Sequence, residues 1–557
     1  MTDGKYKWWQ KTVVYQIYPR SFKDSTGNGI GDIQGIIEKL DYLKDLGIET
    51  IWISPFFKSP QHDHGYDIEN FCEIDPIYGT MSNFDKLLKE IHDKDMKLVL
   101  DLVLNHTSIE HPWFRESASS RDNPKRDWYI WRDGKKPEGK KPPNNWKAIP
   151  GGSAWRYYEN TGQWYYFHFL PFQPDLNYRN PEVKEAMLNI MQFWLDKGVD
   201  GFRLDILHTI FEDIGLKNNP FTWSLTLSDK KSASFFQHHK YDANLPETFD
   251  FVLDLRRLTE KYEPERFLVG EVLATLTNLK KYYGPENNGL HMSFLFEFTF
   301  KALTFKPKKI INVVSKIEKI LPQPYTPTYV YGNHDRDRYI SLLNDDVQKA
   351  KILAALQLTL RGVPYIYYGE EIGMSNAKFM LKTSEDPIGR KFLKFPFPLI
   401  SKLIGFSFTR DRCRTPMQWN AEFNAGFTSN PKVKTWLKVS DNYKQINASA
   451  EEKNPDSLLN CYKRLIKMRA QHISLQEGLL EIIDLGKLNN KCIAYKRIHE
   501  KQELYVFLNF SGKKIPLKPS KSSPELIFST FYNRKKQATG VFDNYIKLNP
   551  LEGVIFK

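Results

Sequence analysis

The chain has 557 residues, more than one compact core usually holds, which points to a large catalytic domain with appendages. Hydrophobic residues at 41% and charged residues at 26% are an ordinary globular balance, and aromatics are high at 14%. The net charge of +14 (80 − 66) comes with acidic residues interleaved along the chain and no long basic arm, which argues against a nucleic-acid partner.

Cys72, Cys413, Cys461 and Cys492 are the four cysteines, and none stands in a CxxC spacing. That excludes the usual zinc and redox-pair signatures and fits a reducing compartment. The first ten residues, MTDGKYKWWQ, have no apolar core of a signal peptide. The most apolar window, 395–408, is broken by a lysine and prolines and is too short to span a bilayer. The expectation is a soluble cytoplasmic protein with no membrane partner.

Taken in order, apolar runs alternate with amphipathic stretches, as parallel βα units do. The first strand is expected at 13–18. A helix follows at 33–46, with Gly47 as its stop. The second strand is expected at 49–55. Ser82 is expected to cap the next helix, whose Phe84, Leu87, Leu88 and Ile91 share a face. The third strand, 97–104, ends in Asn105 and His106. Residues 107–176 then lose all periodicity and are rich in Trp, Pro, Gly and Lys, as a functional loop or small inserted domain would be. Asn180 and Pro181 open a helix that Gly198 ends. Strand four is the start of GFRLDILH (201–208). Further strands are expected at 267–272, 292–298, 328–331 and 363–368, with helices at 249–262 and 347–360 among them. Eight strands with intervening helices make an α/β fold, a (β/α)8 TIM barrel. The short alternating runs from 479 onward indicate a C-terminal all-β domain. The domain reading is 1–106 for the first part of the barrel, 107–176 for the insertion, 177–478 for the second part with a rim insertion near 374–430, and 479–557 for the β-domain.

In such barrels the active site lies at the C-terminal ends of the strands. Polar groups collect there: Tyr66 and Asp67 after strand two, Asp101, Asn105 and His106 on strand three, Arg203 and Asp205 on strand four, Glu271 on strand five, and His334 and Asp335 on strand seven. Side chains i and i+2 of a strand share a face, so Arg203 and Asp205 emerge together, and the cation favours an ionised Asp205. Glu271 follows an apolar run, and partial burial would keep it protonated. A nucleophilic carboxylate beside a protonated one is the equipment of glycoside hydrolysis.

Four segments, DLVLNH (101–106), GFRLDILH (201–208), GEVL (270–273) and GNHD (332–335), resemble the signature segments of the α-amylase family of glycoside hydrolases, in order. QPDLN (173–177) resembles a fifth. The resemblance implies the barrel, a subdomain after strand three and the C-terminal β-domain. It implies Asp205 as nucleophile, Glu271 as acid/base and Asp335 as transition-state stabiliser, with Tyr66, Asp67, His106, Arg203 and His334 holding the terminal glucose. WWQKTVVYQIYPRSF, SPQHDHGYDI, GGSAW and RTPMQW are most similar to α-glucosidases and oligo-1,6-glucosidases. Arg414 then resembles the arginine that pairs with the Asp67 position and closes the pocket behind one glucose. Ile206, next to the nucleophile, stands where the family carries a small residue for α-1,4 and valine for α-1,6 preference.

DSTGNGIGD (24–32) resembles a calcium loop with ligands at Asp24, Thr26, Asn28, Ile30 and Asp32. Only two of these are carboxylates, so a weak structural calcium is implied. The stretch 374–408 matches no family pattern. The expected function is an exo-acting retaining α-glucosidase on short α-1,4- or α-1,6-glucosides, with a small oligosaccharide or disaccharide as partner. The alternatives are a sucrose isomerase or transglucosylase of the same family, or a non-catalytic transporter-partner relative, which should lack a catalytic carboxylate.

Overall fold

A computed structural model describes residues 6–135, 139–224, 233–378, 383–393, 409–517, 525–534 and 546–557. Eight short strands form one sheet: β1 (Val14–Ile17), β2 (Thr50–Ile53), β3 (Lys97–Leu102), β4 (Gly201–Leu204), β5 (Phe267–Gly270), β6 (Met292–Ser293), β7 (Thr328–Val330) and β8 (Val363–Tyr367). Their order is β6-β5-β4-β3-β2-β1-β8-β7. The first strand pairs in parallel with the last, Val14 against Tyr365, which is the connectivity of a (β/α)8 barrel. Nearly every strand residue is buried, as expected of parallel strands covered on both faces. At Gly201 a Cβ would stand 2.4 Å from the Phe267 carbonyl oxygen, so the close approach of β4 to β5 requires glycine there.

The chain divides into two compact units. One consists of Trp52–His92 and Lys97–Phe294 and carries β3 to β6. Its helix Pro181–Asp196 starts as the sequence predicts, with the Asn180 side chain accepting from the Glu182 N–H, and Gly198 follows at φ 103°. Within 107–176 lie a short helix, Pro112–Ser119, and a three-stranded antiparallel sheet of Trp131–Arg132, Trp155–Tyr158 and Gln163–Tyr166. Trp146, Trp155 and Tyr166 pack as its core.

The other unit consists of Met1–Ile51, Asp93–Met96 and Leu295–Lys557 and carries β1, β7 and β8. Its helix Val347–Thr359 is buried almost all round. Its C-terminal sheet has five strands, beginning with Leu479–Ile482 and centred on Cys492–His499 and Gln502–Asn509. Cys492, Ala494, Phe507, Val554 and Phe556 form the core of that sheet.

Three local expectations are corrected. The helix expected at 33–46 is two, Ile33–Ile37 and Leu40–Leu46, because Lys39 leaves helical angles (φ −112°, ψ 6°). The helix Met81–Asp93 is capped by Thr80, not Ser82: Thr80 Oγ1 accepts from the Asn83 N–H and Asn83 Oδ1 accepts from the Thr80 N–H. The strand expected at 292–298 stops at Ser293, and Phe296–Ala302 is helical. That aromatic run has strand propensity, but its helix buries Phe296, Thr299 and Ala302 at a spacing of three, and Thr299 Oγ1 donates to the Val330 carbonyl. The apolar window at 395–408 and much of the unmatched stretch 374–408 fall outside the described residues. Among the described residues no helix is long and apolar enough to cross a membrane.

Two buried arginines, Arg497 in the C-terminal sheet and Arg469 in helix Leu458–Gln471, fasten on the chain that leaves helix Val347–Thr359. Arg497 donates to the carbonyls of Thr359, Leu360 and Gly478, at 2.7 to 2.9 Å. Arg469 donates to those of Leu358 and Gly362. They satisfy carbonyls that the end of helix Val347–Thr359 leaves without helical partners, where a cation also suits the dipole. Burial, and then the neighbouring Arg469, push Arg497 down to about 9. Arg497→Met should therefore lower unfolding free energy by about 2–4 kcal/mol, since three buried carbonyls lose their donor. Thermal unfolding of the variant against the parent protein reads this directly.

Candidate active site

In the unit that carries β3 to β6, strand register brings the first part of the site together. Asp101 on β3 and Val269 on β5 are both level with Arg203 on β4. Arg203 Nη1 donates to Asp101 Oδ1 at 2.8 Å and to Asp205 Oδ1 at 2.6 Å, while Nη2 donates to Glu271. The guanidinium lies 5.3 Å from the centre of the Trp52 ring. Arg203 is fully buried, and although burial disfavours its charge, Asp101, Glu271 and Asp205 outweigh this and keep it protonated.

Burial and the excess of carboxylates over cations both favour a retained proton in this cluster. Asp101 shows it: burial, opposed by Arg203 and reinforced by the Glu271 charge, pushes its carboxyl up to about 6. Its other oxygen accepts from the Tyr66 hydroxyl at 3.0 Å. Tyr66 also accepts, through its carbonyl, from His106 Nε2 at 3.1 Å, and burial brings His106 down to about 4, so the ring is neutral at pH 7. Beside the apolar run that precedes Glu271, the Arg203 fork also reaches its carboxyl.

Ile206, half-buried, follows Asp205 with φ 33° and ψ 40°. A β-branched residue in the left-handed region is a backbone outlier of the kind found at functional sites. Its carbonyl accepts from both the N–H and the hydroxyl of Thr209, which holds the turn.

In the unit that carries β1, β7 and β8, the chain after β7 is built around Asp335. Gln16 of β1 donates to His334 Nδ1 at 2.8 Å, which leaves Nε2 to face Asp335 Oδ2 at 3.0 Å. The Tyr18 ring stacks on His334 at 5.8 Å and 13°. Arg410 Nη1 and Arg414 Nη2 both donate to Asp335 Oδ1 at 2.9 Å. Arg414 Nε donates to the His334 carbonyl, and Arg410 is anchored in turn on Asp386. Burial opposes ionisation of Asp335, but His334, Arg410 and Arg414 outweigh it and hold the carboxyl well below its usual range.

Arg414 and Asp67, paired in the expectation, each have partners within their own unit. Arg414 ends the turn Arg410–Cys413 with its fork on residues 334 and 335. Asp67 is served by its own loop instead: the His62 and Asp63 N–H groups donate at 2.8 Å and the Ser59 hydroxyl at 3.1 Å. Burial, with the Asp63 charge adding to it, pushes Asp67 up to about 6. Arg410, Asp386 and Gln16 were missed by the sequence reading. Asp386–Pro387 has the pattern of a helix cap, and Asp386 does cap Pro387–Lys391, but nothing local points its carboxylate at Arg410.

In the loop Asp24 to Asp32, where a weak structural calcium was expected, the side-chain oxygens turn to the loop's own groups. Asp24 accepts from the N–H groups of Gly27 and Gly29 at 2.7 Å, and Asp32 from those of Ser25 and Gly35. Asn28 Oδ1 accepts from the Ile30 N–H. Thr26 turns its hydroxyl to Asp24. The side-chain oxygens hold the loop's own backbone, and among the described residues no group of three or more His, Cys, Asp or Glu is placed to hold a metal.

Comparison with known proteins bears on this geometry. Residues 16–478 match the model of the alpha-amylase family, described as the alpha amylase catalytic domain. An oligo-1,6-glucosidase of Bacillus cereus is 37% identical, with 99% of each chain covered. A probable alpha-glucosidase of Rhizobium meliloti is 37% identical over 92% of this chain and 91% of its own length. Among solved structures, the alpha-glucosyl transfer enzyme XgtA superposes with a TM-score of 0.88 at 35% identity, with 99% of each chain covered.

The single guanidinium carries a direct consequence. Arg203→Met should leave three carboxylates without their cation, destabilise the protein by about 3–5 kcal/mol and abolish turnover. Adding Asp101→Asn should recover part of the lost unfolding temperature, because one uncompensated charge is gone. Thermal unfolding of the single and double variants checks both outcomes.

Proposed function

The chain belongs to the α-amylase family of glycoside hydrolases, and we propose that within it the protein is an exo-acting, retaining α-glucosidase that releases glucose from the non-reducing end of short α-1,4- or α-1,6-glucosides. One observation carries the reading: Arg203 donates to Asp205 through one terminal nitrogen and to Glu271 through the other. Two carboxylates held by one planar fork support the close pairing of a retaining enzyme, about 5–5.5 Å, over the roughly 6.5–9.5 Å that leaves room for an inverting water.

In this reading Asp205, ionised beside Arg203, attacks the anomeric carbon and forms the glycosyl ester. Glu271 protonates the departing oxygen and then takes a proton from the water that cleaves the ester. Arg203 favours the Glu271 carboxylate, so its contact must loosen as the leaving oxygen arrives. Asp335, held ionised by Arg410 and Arg414, accepts from sugar hydroxyls and strengthens those bonds as positive charge develops on the ring. Tyr66, Asp67, His106, Arg203 and His334 are the groups assigned to the terminal glucose. No nucleic acid, membrane or bound calcium enters the scheme. Four unpaired cysteines suit a cytoplasmic setting.

A second reading, transglucosylation, is favoured by the likeness to an alpha-glucosyl transfer enzyme. It uses the same carboxylates, with a sugar hydroxyl in place of water at the second step. Product analysis on sucrose, maltose and isomaltose separates transfer or isomerised products from free glucose.

Proton NMR of the first glucose released should show the α-anomer, and Asp205→Asn should abolish its release. Initial β-glucose would overturn the double displacement. A further outcome concerns Ile206. An apolar β-branched group beside the nucleophile crowds an α-1,4-linked second glucose more than an α-1,6-linked one, whose extra rotatable bond lets it swing clear. Threonine keeps the β-branch, and with it the same backbone strain. Ile206→Thr should therefore lower the isomaltose-to-maltose ratio of kcat/KM by about tenfold, the scale of a small change in pocket bulk.

A further inference from the structure

The connection from β4 to β5 carries three exposed aromatic rings that the chemistry above does not use. Phe221 is 63% exposed, Trp223 88% and Phe236 37%. The Trp223 ring stands edge-on to Phe221 (5.0 Å, 88°), and Phe221 lies parallel to Phe236 (6.2 Å, 6°). With Ile214, these are the exposed large hydrophobic residues of the described part of their unit, and all four belong to this one connection.

The backbone that presents the rings is held in place at a price in strain. Thr222 donates its N–H to the Phe236 carbonyl, Phe236 to that of Ser224, and His238 to that of Pro220. Ser234 pairs with Gln237, so Phe235 and Phe236 are the two central residues of a tight hairpin, at φ 43° and 64°. Such a turn is easy for Asn-Gly and strained for bulky residues. The inserted segment clamps it. Gln237 Oε1 accepts from the Lys147 N–H at 2.7 Å, and Gln237 Nε2 donates to the Asn145 carbonyl. Lys147 Nζ donates to the Phe235 carbonyl at 3.0 Å. The Phe235 ring lies against Gly151, where an added Cβ would stand 2.8 Å from it. A glycine hairpin would avoid the strain and lose the Phe236 ring beside Phe221. Strain kept at such a place points to use.

We infer that Phe221, Trp223 and Phe236 form a stacking platform for the pyranose rings on the leaving-group side of an oligosaccharide, one or two units beyond the bond that is cut. The inference rests on the α-glucosidase reading for its substrate class. The apolar CH face of a pyranose suits a flat aromatic ring. The connection starts at the strand end that bears Asp205 and leads to the strand that ends at Glu271, so the rings belong to the loops on the catalytic face of the barrel. Three rings of about 150–250 Å² each, partly packed on one another, fall short of the roughly 800 Å² per partner that a stable contact between two copies needs.

Isothermal titration calorimetry of the Asp205→Asn protein, which binds without turnover, tests the platform. Trp223→Ala on that background should weaken binding of isomaltotriose and maltotriose about three- to tenfold, leave glucose binding unchanged, and be rescued by Trp223→Phe. Equal trisaccharide affinities with and without Trp223, or no trisaccharide binding at all, would overturn the inference. So would a lower molar mass of Trp223→Ala in light scattering, which would make the patch a contact between copies. Glucose release by the protein with Asp205 intact is scored separately. Its absence alongside Trp223-dependent trisaccharide binding would sink the α-glucosidase reading and leave the platform standing.

Discussion

The buried Arg203 guanidinium is the constraint on which the catalytic arrangement depends. A cation taken out of water carries a desolvation penalty of several kcal/mol that only well-placed partners offset. Here three carboxylates do so, from the ends of three adjacent strands. The arrangement cannot relax by moving one side chain, because strand register places Asp101 level with Arg203 and the strand pleat places Asp205 on its face. Burial, with the Glu271 charge adding to it, also raises Asp101 to about 6, so that carboxyl can hold a proton near neutrality.

The surroundings of Asp335 solve the opposite problem. There a carboxylate is to stay ionised despite burial, and two arginines and a histidine are gathered on it. Each of those groups is itself restrained: His334 by Gln16 and the Tyr18 ring, Arg410 by Asp386, Arg414 by the His334 carbonyl. Dipoles and charges fixed in this way need no rearrangement when charge develops on a substrate, which is the source of most electrostatic catalysis.

Backbone strain marks two further places, Ile206 and the Phe235–Phe236 turn. Neither residue type favours φ above zero, and both are held by hydrogen bonds from neighbouring segments. In both cases the strained residue presents a bulky apolar group on the connection that follows β4. The calcium loop shows how a local pattern can lead elsewhere. Its spacing survives, but with Thr26 and Asn28 in the middle positions the remaining carboxylates serve as caps for the loop's own N–H groups.

The sequence by itself determined the alternation of strands and helices, the count of eight, the strand ends that bear Tyr66, Asp67, His106, Arg203, Asp205, Glu271, His334 and Asp335, and the family. These are local features: burial on both faces writes continuous apolar runs, caps and glycines write helix ends, and signature segments are short. The helix at Phe296–Ala302 and the Thr80 cap were misread because aromatic propensity and a nearby serine are weak signals that packing overrides. Only the tertiary structure decided which charges meet. That Arg203 reaches Glu271, that Arg414 serves Asp335, and that Arg410 and Asp386 join them depends on residues 24 to 79 positions apart. No spacing in one sequence records such pairings, because a side chain's partner is set by the register of strands and the path of loops, and not by its neighbours along the chain.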